Sequence, residues 1–152
     1  MAYKIMIVDD EENVRNSLIR LLRREGFDLV TASSATEAME ILLEEAVDLI
    51  ISDEKMPGMS GLEFLKLVRQ RHPETMRFIL TGHADPEFII RAINEGEIYR
   101  FFTKPWDNED MKNAIRSALQ YLELIRENRR LHELVHRQEE ELVLLRKGMA
   151  GG

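Results

Sequence analysis

Leu49-Ile50-Ile51-Ser52-Asp53 is an apolar run that stops at an acid, and Met56-Pro57-Gly58-Met59-Ser60-Gly61 behind it is full of turn residues. Leu62, Leu65 and Val68 then recur on one face of a helix. A buried strand, a polar end, a turn and a helix follow in that order, and the same order repeats on both sides of this stretch. Upstream, residues 4–8 form an apolar run that closes on Asp9-Asp10. Downstream, 78–80 closes on Thr81-Gly82, and 99–103 closes on Lys104. Strands that alternate with helices predict a parallel sheet, and in an open sheet of this kind the ligand crevice lies beyond the carboxyl ends of the strands. Asp9, Asp10, Asp53, Thr81 and Lys104 are therefore expected at one sheet edge.

The intervening segments carry their own punctuation. Asp10-Glu11-Glu12-Asn13 offers caps and negative charge to a helix with Val14, Leu18, Leu21 and Leu22 on one face, and Gly26 ends it. A shorter strand spans 27–32, and Ser34-Ala35-Thr36-Glu37 reads as a capping box for a helix with Ala38, Ile41 and Leu42 inward. Asp48 introduces the strand at 49–52, and Pro73 marks the end of the following helix. Asp85-Pro86 pairs a cap with a proline at the first helical position, opening a fourth helix through Ile89, Ile90 and Ile93 that Gly96 closes. The fold class expected is α/β: a doubly wound, five-stranded parallel sheet of flavodoxin-like type with an extended C-terminal helix.

Asp107 caps that last helix, which meets no proline or glycine until Gly148 and is far longer than a sheet needs for cover. With Leu124 at heptad position d, Asn128 falls at a, Leu131 at d, Val135 at a, Gln138 at d, Leu142 at a and Leu145 at d. The spacing predicts a parallel coiled coil in which Asn128 fixes the register, Gln138 weakens the core, and Glu141 at g faces Arg146 at e of the partner strand. A single charged helix lying on its own domain is the alternative. The division expected is a globular domain over 1–122, a helical extension over 123–147 and a flexible tail over 148–152. Between 123 and 147 there are six acids and six bases, so the net charge of −7 belongs to residues 1–122.

Three carboxylates gathered a few ångströms apart repel one another, and a hard divalent cation resolves the conflict. Magnesium suits oxygen ligands and retains several waters, and manganese can substitute. An Asp53 carboxylate facing a phosphoryl donor is a nucleophile, Lys104 is the opposing positive clamp, and Thr81 can hydrogen-bond an arriving phosphoryl oxygen while Gly82 leaves room for it. Singly, these residues read as helix caps, a structural threonine and a solvated lysine. Their joint position after successive strands is what points to a phosphoryl and metal site.

Composition excludes other classes. The 152 residues, 44% hydrophobic and 32% charged, suffice for one core plus an appendage. The absence of cysteine removes disulfides and thiolate zinc sites and suits a reducing cytoplasm. The N-terminus enters a strand at once and meets Asp9 before a signal-length or membrane-spanning apolar stretch develops. The acidic balance, without a basic face, argues against direct binding of nucleic acid.

Taken together, Val8-Asp9-Asp10, Ser52-Asp53 with Met56-Pro57-Gly58-Met59-Ser60-Gly61, Leu80-Thr81-Gly82 and Thr103-Lys104-Pro105 resemble the motifs of the receiver domain of two-component response regulators over roughly 4–122. The resemblance implies that Asp53 is the phosphoacceptor and that Asp9, Asp10 and Asp53 bind the metal together with the backbone carbonyl of Lys55. It implies that Thr81 and Phe101 form a switch pair, and that Lys104-Pro105 is a cis peptide. It also implies a sensor histidine kinase or phosphotransfer protein as partner; the heptads predict a homodimer through the C-terminal helix, and the lack of cysteine and of an export or membrane segment suits a cytoplasmic location. Lys55 and His83 resemble positions that tune phosphoryl lifetime, and Ile98-Tyr99-Arg100-Phe101-Phe102-Thr103-Lys104-Pro105-Trp106 is similar to receivers joined by a helix to cyclic-dinucleotide phosphodiesterase or transcription-activator modules. Two departures stand out: the interval from Gly96 to Lys104 is one residue longer than the usual pattern, and Phe101 lacks the hydroxyl of the commoner tyrosine.

Two rival readings remain. A magnesium-dependent phosphatase with an aspartate nucleophile needs a second acid two residues on, where this chain has Lys55. A structural receiver that dimerises without phosphorylation would have no use for the intact acidic set.

Overall fold

Four of the apolar runs become the strands they predict and the fifth joins them, all parallel. They are β1 (Lys4–Val8), β2 (Asp28–Ala32), β3 (Leu49–Asp53), β4 (Met76–Thr81) and β5 (Arg100–Thr103), in a single sheet ordered β2-β1-β3-β4-β5. A computed structural model describes residues 2–82 and 86–150 of the chain. The helices between the strands are α1 (Glu12–Arg23), α2 (Ala35–Glu44), α3 (Gly61–Arg71) and α4 (Pro86–Asn94), and α5 (Asn108–Ala150) follows β5. His83 and Asp85, read above as a tuning position and a helix cap, lie outside the described residues.

Side chains alternate across each strand, so the sheet has two apolar faces and both are covered. Met6, Val8, Ile50 and Ile79 pack with Ala38, Leu42, Phe64, Leu65, Val68 and Ile89 of α2, α3 and α4. Ile5, Ile7, Leu49, Ile51, Phe78 and Leu80 pack with Leu18 and Leu22 of α1 and with Met111, Ile115, Ala118 and Leu122 of α5. On α4, Ile89 is buried, whereas Ile90 is 55% exposed.

The local signals resolve in detail. Ser34 caps α2 by accepting the Glu37 N–H at 3.1 Å, and Glu37 closes the box on Ser33, accepting its N–H at 2.9 Å. Ser60 caps α3, so Gly61 belongs to the helix rather than to the turn. Asp107 accepts the Asp110 N–H at 2.8 Å at the start of α5. Gly26 and Gly96 end their helices at φ of 82° and 77°.

Limits differ from the sequence reading at four strands: β2 begins at Asp28, not at 27, β3 runs on through Asp53, and β4 and β5 shift as well. β4 begins at Met76, not at 78, because Met76 pairs with Leu49 and its N–H reaches the Asp48 carbonyl. The charged Arg77 hid this start. Its guanidinium is satisfied by the carbonyls of Thr75, Gly96 and Glu97 at 2.9–3.0 Å. The bonds to Gly96 and Glu97 also hold the turn before β5. Ile98 is buried in it, the Tyr99 N–H bonds the Arg77 carbonyl at 2.7 Å, and the strand starts at Arg100.

α5 has 43 residues, about 65 Å at 1.5 Å per residue. Its first half covers the sheet. Arg126 then bonds Asp48 at 2.7 Å, Arg129 pairs with Glu74, and residues 127–149 are exposed throughout.

Candidate functional site

The sheet order reverses at β1 and β3, which places a crevice beyond their carboxyl ends. Asp9 follows β1, and Asp53 is the last residue of β3. The Asp9 N–H extends the ladder to the Ala32 carbonyl at 3.1 Å, which seats this aspartate in the crevice with no exposed surface. Asp53 is 4% exposed. One oxygen on each of Asp9, Asp10, Glu11 and Asp53 lies within 4.8 Å of the others.

Lys104 comes to this group from the far side of the sheet. Its N–H bonds the Thr81 carbonyl at 2.9 Å, continuing the β4–β5 ladder, and the Lys104-Pro105 peptide is cis. Lys104 Nζ lies 3.0 Å from Asp9 Oδ2, 3.2 Å from Asp53 Oδ1 and 3.6 Å from Glu11 Oε1. One ammonium thus faces three carboxylates. Asp9 Oδ1 accepts the Glu11 N–H at 2.8 Å, and Asp9 Oδ2 is buried against the Lys104 ammonium.

The electrostatics follow from this crowding. Burial, together with the charge of Asp9, pushes the Asp53 carboxyl up to about 6, against the opposing pull of Lys104. Burial draws Lys104 down, but contact with Asp9 and the charges of Asp53 and Asp9 outweigh it, and the ammonium is held above its ordinary value. Negative charge therefore exceeds what one lysine balances. An all-carboxylate donor set around a buried aspartate fits a hard divalent cation.

Of the residues singled out from the sequence, Asp9, Asp10, Asp53 and Lys104 come together here. Thr81 is buried at the end of β4, paired in register with Thr103 beside the lysine. Lys55 stands in the loop after β3 with its side chain exposed. Phe101 lies on β5, partly buried against the cluster that includes Ile89, Ala92 and Ile98, while Phe102 points to the other face beneath α5. Glu11 was missed. Its acid at the mouth of a helix reads as a cap, yet at the N-cap position it makes no capping bond and joins the carboxylates instead.

Comparison with known proteins agrees with the geometry. The response regulator receiver domain family matches residues 5–116. The hydrogenase transcriptional regulatory protein HoxA of Cupriavidus necator is 41% identical over 116 residues, 76% of this chain and 24% of that protein. The C4-dicarboxylate transport transcriptional regulatory protein DctD of Rhizobium meliloti is 31% identical over 144 residues, 95% of this chain and 31% of that protein, a match that runs on into the α5 extension. The signal receiver domain of an HD domain-containing protein from Pseudomonas fluorescens superposes with a TM-score of 0.78 at 40% identity, covering 83% of this chain and 93% of that one.

The chain belongs to the response regulator receiver domain family. It spans about a quarter of the length of the first of these regulators. Its fold and carboxylate cluster match those of receiver domains, which catalyse their own phosphorylation and dephosphorylation.

Proposed function

We propose that Asp53 accepts a phosphoryl group from a histidine kinase or phosphotransfer protein, and that Asp9, Asp10, Asp53 and the backbone carbonyl of Lys55 hold a magnesium ion beside it, which manganese can replace. One observation carries the reading. Lys104 Nζ sits 3.2 Å from Asp53 Oδ1 and 3.0 Å from Asp9 Oδ2 at the carboxyl edge of the sheet, on the side where phosphoryl charge would arrive. An oxygen of Asp53 attacks phosphorus, an O–P bond forms, and the bond from phosphorus to the leaving atom breaks with its electron pair and a proton going to the donor. A bound divalent ion supplies charge neutralisation for the oxygens of the transferring group. Lys104 neutralises the same charge from the other side, and Thr81 donates its hydroxyl to a phosphoryl oxygen.

Thr81 and Phe101 are the proposed switch pair. Phe101 lies half-buried between the sheet and α4, so a shift at Thr81 can change how its ring packs and reshape the face formed by α4, β5 and α5. The signal then reaches a second copy of the chain through α5, whose Leu131, Val135, Leu142 and Leu145 stand 50–64% exposed along one seam. The proposed organisation is a receiver over 1–122 and a coiled-coil extension from 123; the flexible tail expected from 148 onward is corrected, since α5 runs on through Gly148 to Ala150. No described helix is long and apolar enough to cross a membrane, and the reading places the protein in the cytoplasm. The names of relatives such as HoxA and DctD support transcriptional control as the output of a longer protein.

The test is intact mass after incubation with magnesium and acetyl phosphate, beside an Asp53→Asn variant. A phosphoryl adduct on the wild type alone, lost when the metal is chelated, is the expected result. An intact fold that takes no adduct under any condition would favour a structural dimer instead.

A further inference from the structure

The α5 seam is edged by charges that a single copy of the chain leaves apart. With Leu124 at d, Glu127 and Glu141 fall at g, and His132, Glu139 and Arg146 fall at e. The apolar core positions between them, Leu124, Leu131, Val135, Leu142 and Leu145, are open along the helix. Arg129 pairs with Glu133 at 4.0 Å, and His136 Nε2 lies 3.1 Å from Glu140 Oε1, whereas among the described residues Glu127 and His132 enter no ion pair of their own chain. In a parallel, in-register coil each g residue lies beside the e residue of the following heptad in the second copy. That geometry sets Glu127 against His132 and Glu141 against Arg146. An antiparallel pair that matches Asn128 with Gln138 would instead bring Glu127 beside Glu141, like charge against like. Charge complementarity therefore selects a second, parallel copy of this chain as the occupant of the seam.

We propose that Glu127 of each copy pairs with His132 of the other across this seam, so that proton uptake by the imidazole tightens the dimer. The inference rests on the coiled-coil reading given above and adds a control to it. Imidazole is the side chain that changes charge between pH 5 and 8, and a protonated ring adds opposite charge to what is otherwise at most a neutral hydrogen bond with the carboxylate. On its own helix His132 is faced by Arg129 one turn back and His136 one turn on, both sources of positive charge. Across the seam it is faced by the Glu127 carboxylate, with the uncharged Leu131 and Asn128 beside it. His136 and Glu140 fall at b and f on the outer face, so their charges act within one helix. The two-fold axis of the dimer makes the Glu127–His132 pair twice.

Sedimentation equilibrium of the full chain at pH 6 and pH 8, in excess magnesium to keep Asp53 ionised, reads the dimer dissociation constant. Two exposed ion pairs gained per dimer should lower it about threefold to fivefold at pH 6. His132→Gln and Glu127→Gln should each remove that gain, and His136→Gln should keep it. His132→Arg, charged at both pH values, should give the tighter constant at pH 8 as well. A wild-type chain that stays monomeric at both pH values would overturn the coiled-coil reading and the pairing with it. A dimer with the same constant at both pH values, or one whose pH dependence survives in full in His132→Gln, would overturn the pairing alone.

Discussion

Asp53 sits under a charge load that Lys104 only partly balances, and the consequences are measurable at the level of single residues. Its carboxyl, raised from 3.8 to about 6, makes the folded chain hold more protons than the unfolded one between those values. Stability contributed by this group is therefore lost as pH rises through that window, and the full penalty, up to roughly 3 kcal/mol, is present above it. Asp53→Asn should raise urea-unfolding stability at pH 8 without magnesium, and the gain should vanish below pH 4. Adding magnesium to the wild type should narrow the gap. Lys104→Met removes the one opposing charge, so the Asp53 carboxyl should titrate above its wild-type value by NMR while phosphoryl uptake slows. The sequence made Asp9, Asp53 and Lys104 legible because each ends an apolar strand. It concealed Glu11, because an acid at a helix mouth looks the same whether it caps the helix or faces a neighbouring carboxylate.

Elements position these groups through close contacts that leave little tolerance. A Cβ at Gly61 would lie 2.1 Å from the Asp53 carbonyl oxygen, so α3 can begin this near the phosphoacceptor only with glycine. Gly61→Ala should destabilise the fold by about 1–3 kcal/mol through forced movement of the loop, and slow phosphoryl uptake as Asp53 shifts. Urea titration and a time course of adduct formation separate the two effects. The helices were legible in outline from periodicity and caps, and α5 from its lack of proline and glycine. The start of β4 was not, since a strand reading breaks at Arg77 when the carbonyls that satisfy its guanidinium come from Thr75 and from the distant turn at 96 and 97. The turn before β5 likewise depends on contacts between segments and is readable only from the fold.

The molecule as a whole joins the receiver to its extension without a flexible break. Arg126 and Arg129 tie α5 to Asp48 and Glu74 at the edge of the sheet opposite the site, and the Tyr99 and Tyr121 rings stack at 6.0 Å between the turn before β5 and the helix. A change at β5 thus has a packed route to the helix that carries the heptads. Replacing Asn128 with leucine should change the register or oligomeric state seen by analytical ultracentrifugation, and an unchanged assembly would count against the coiled coil. The heptads were legible from spacing alone, while the anchoring of the helix rests on ion pairs between residues about 55 and 78 positions apart, which no local pattern announces. Whether the Asp53 carboxylate carries the phosphoryl group is settled by borohydride reduction of the phosphorylated chain followed by peptide mass mapping, because an acyl phosphate is reduced to an alcohol at the residue that bore it. Homoserine at position 53 and at no other acid is the predicted result. Reduction at Asp9, Asp10 or Glu11, or a stable adduct that resists borohydride, would contradict the account.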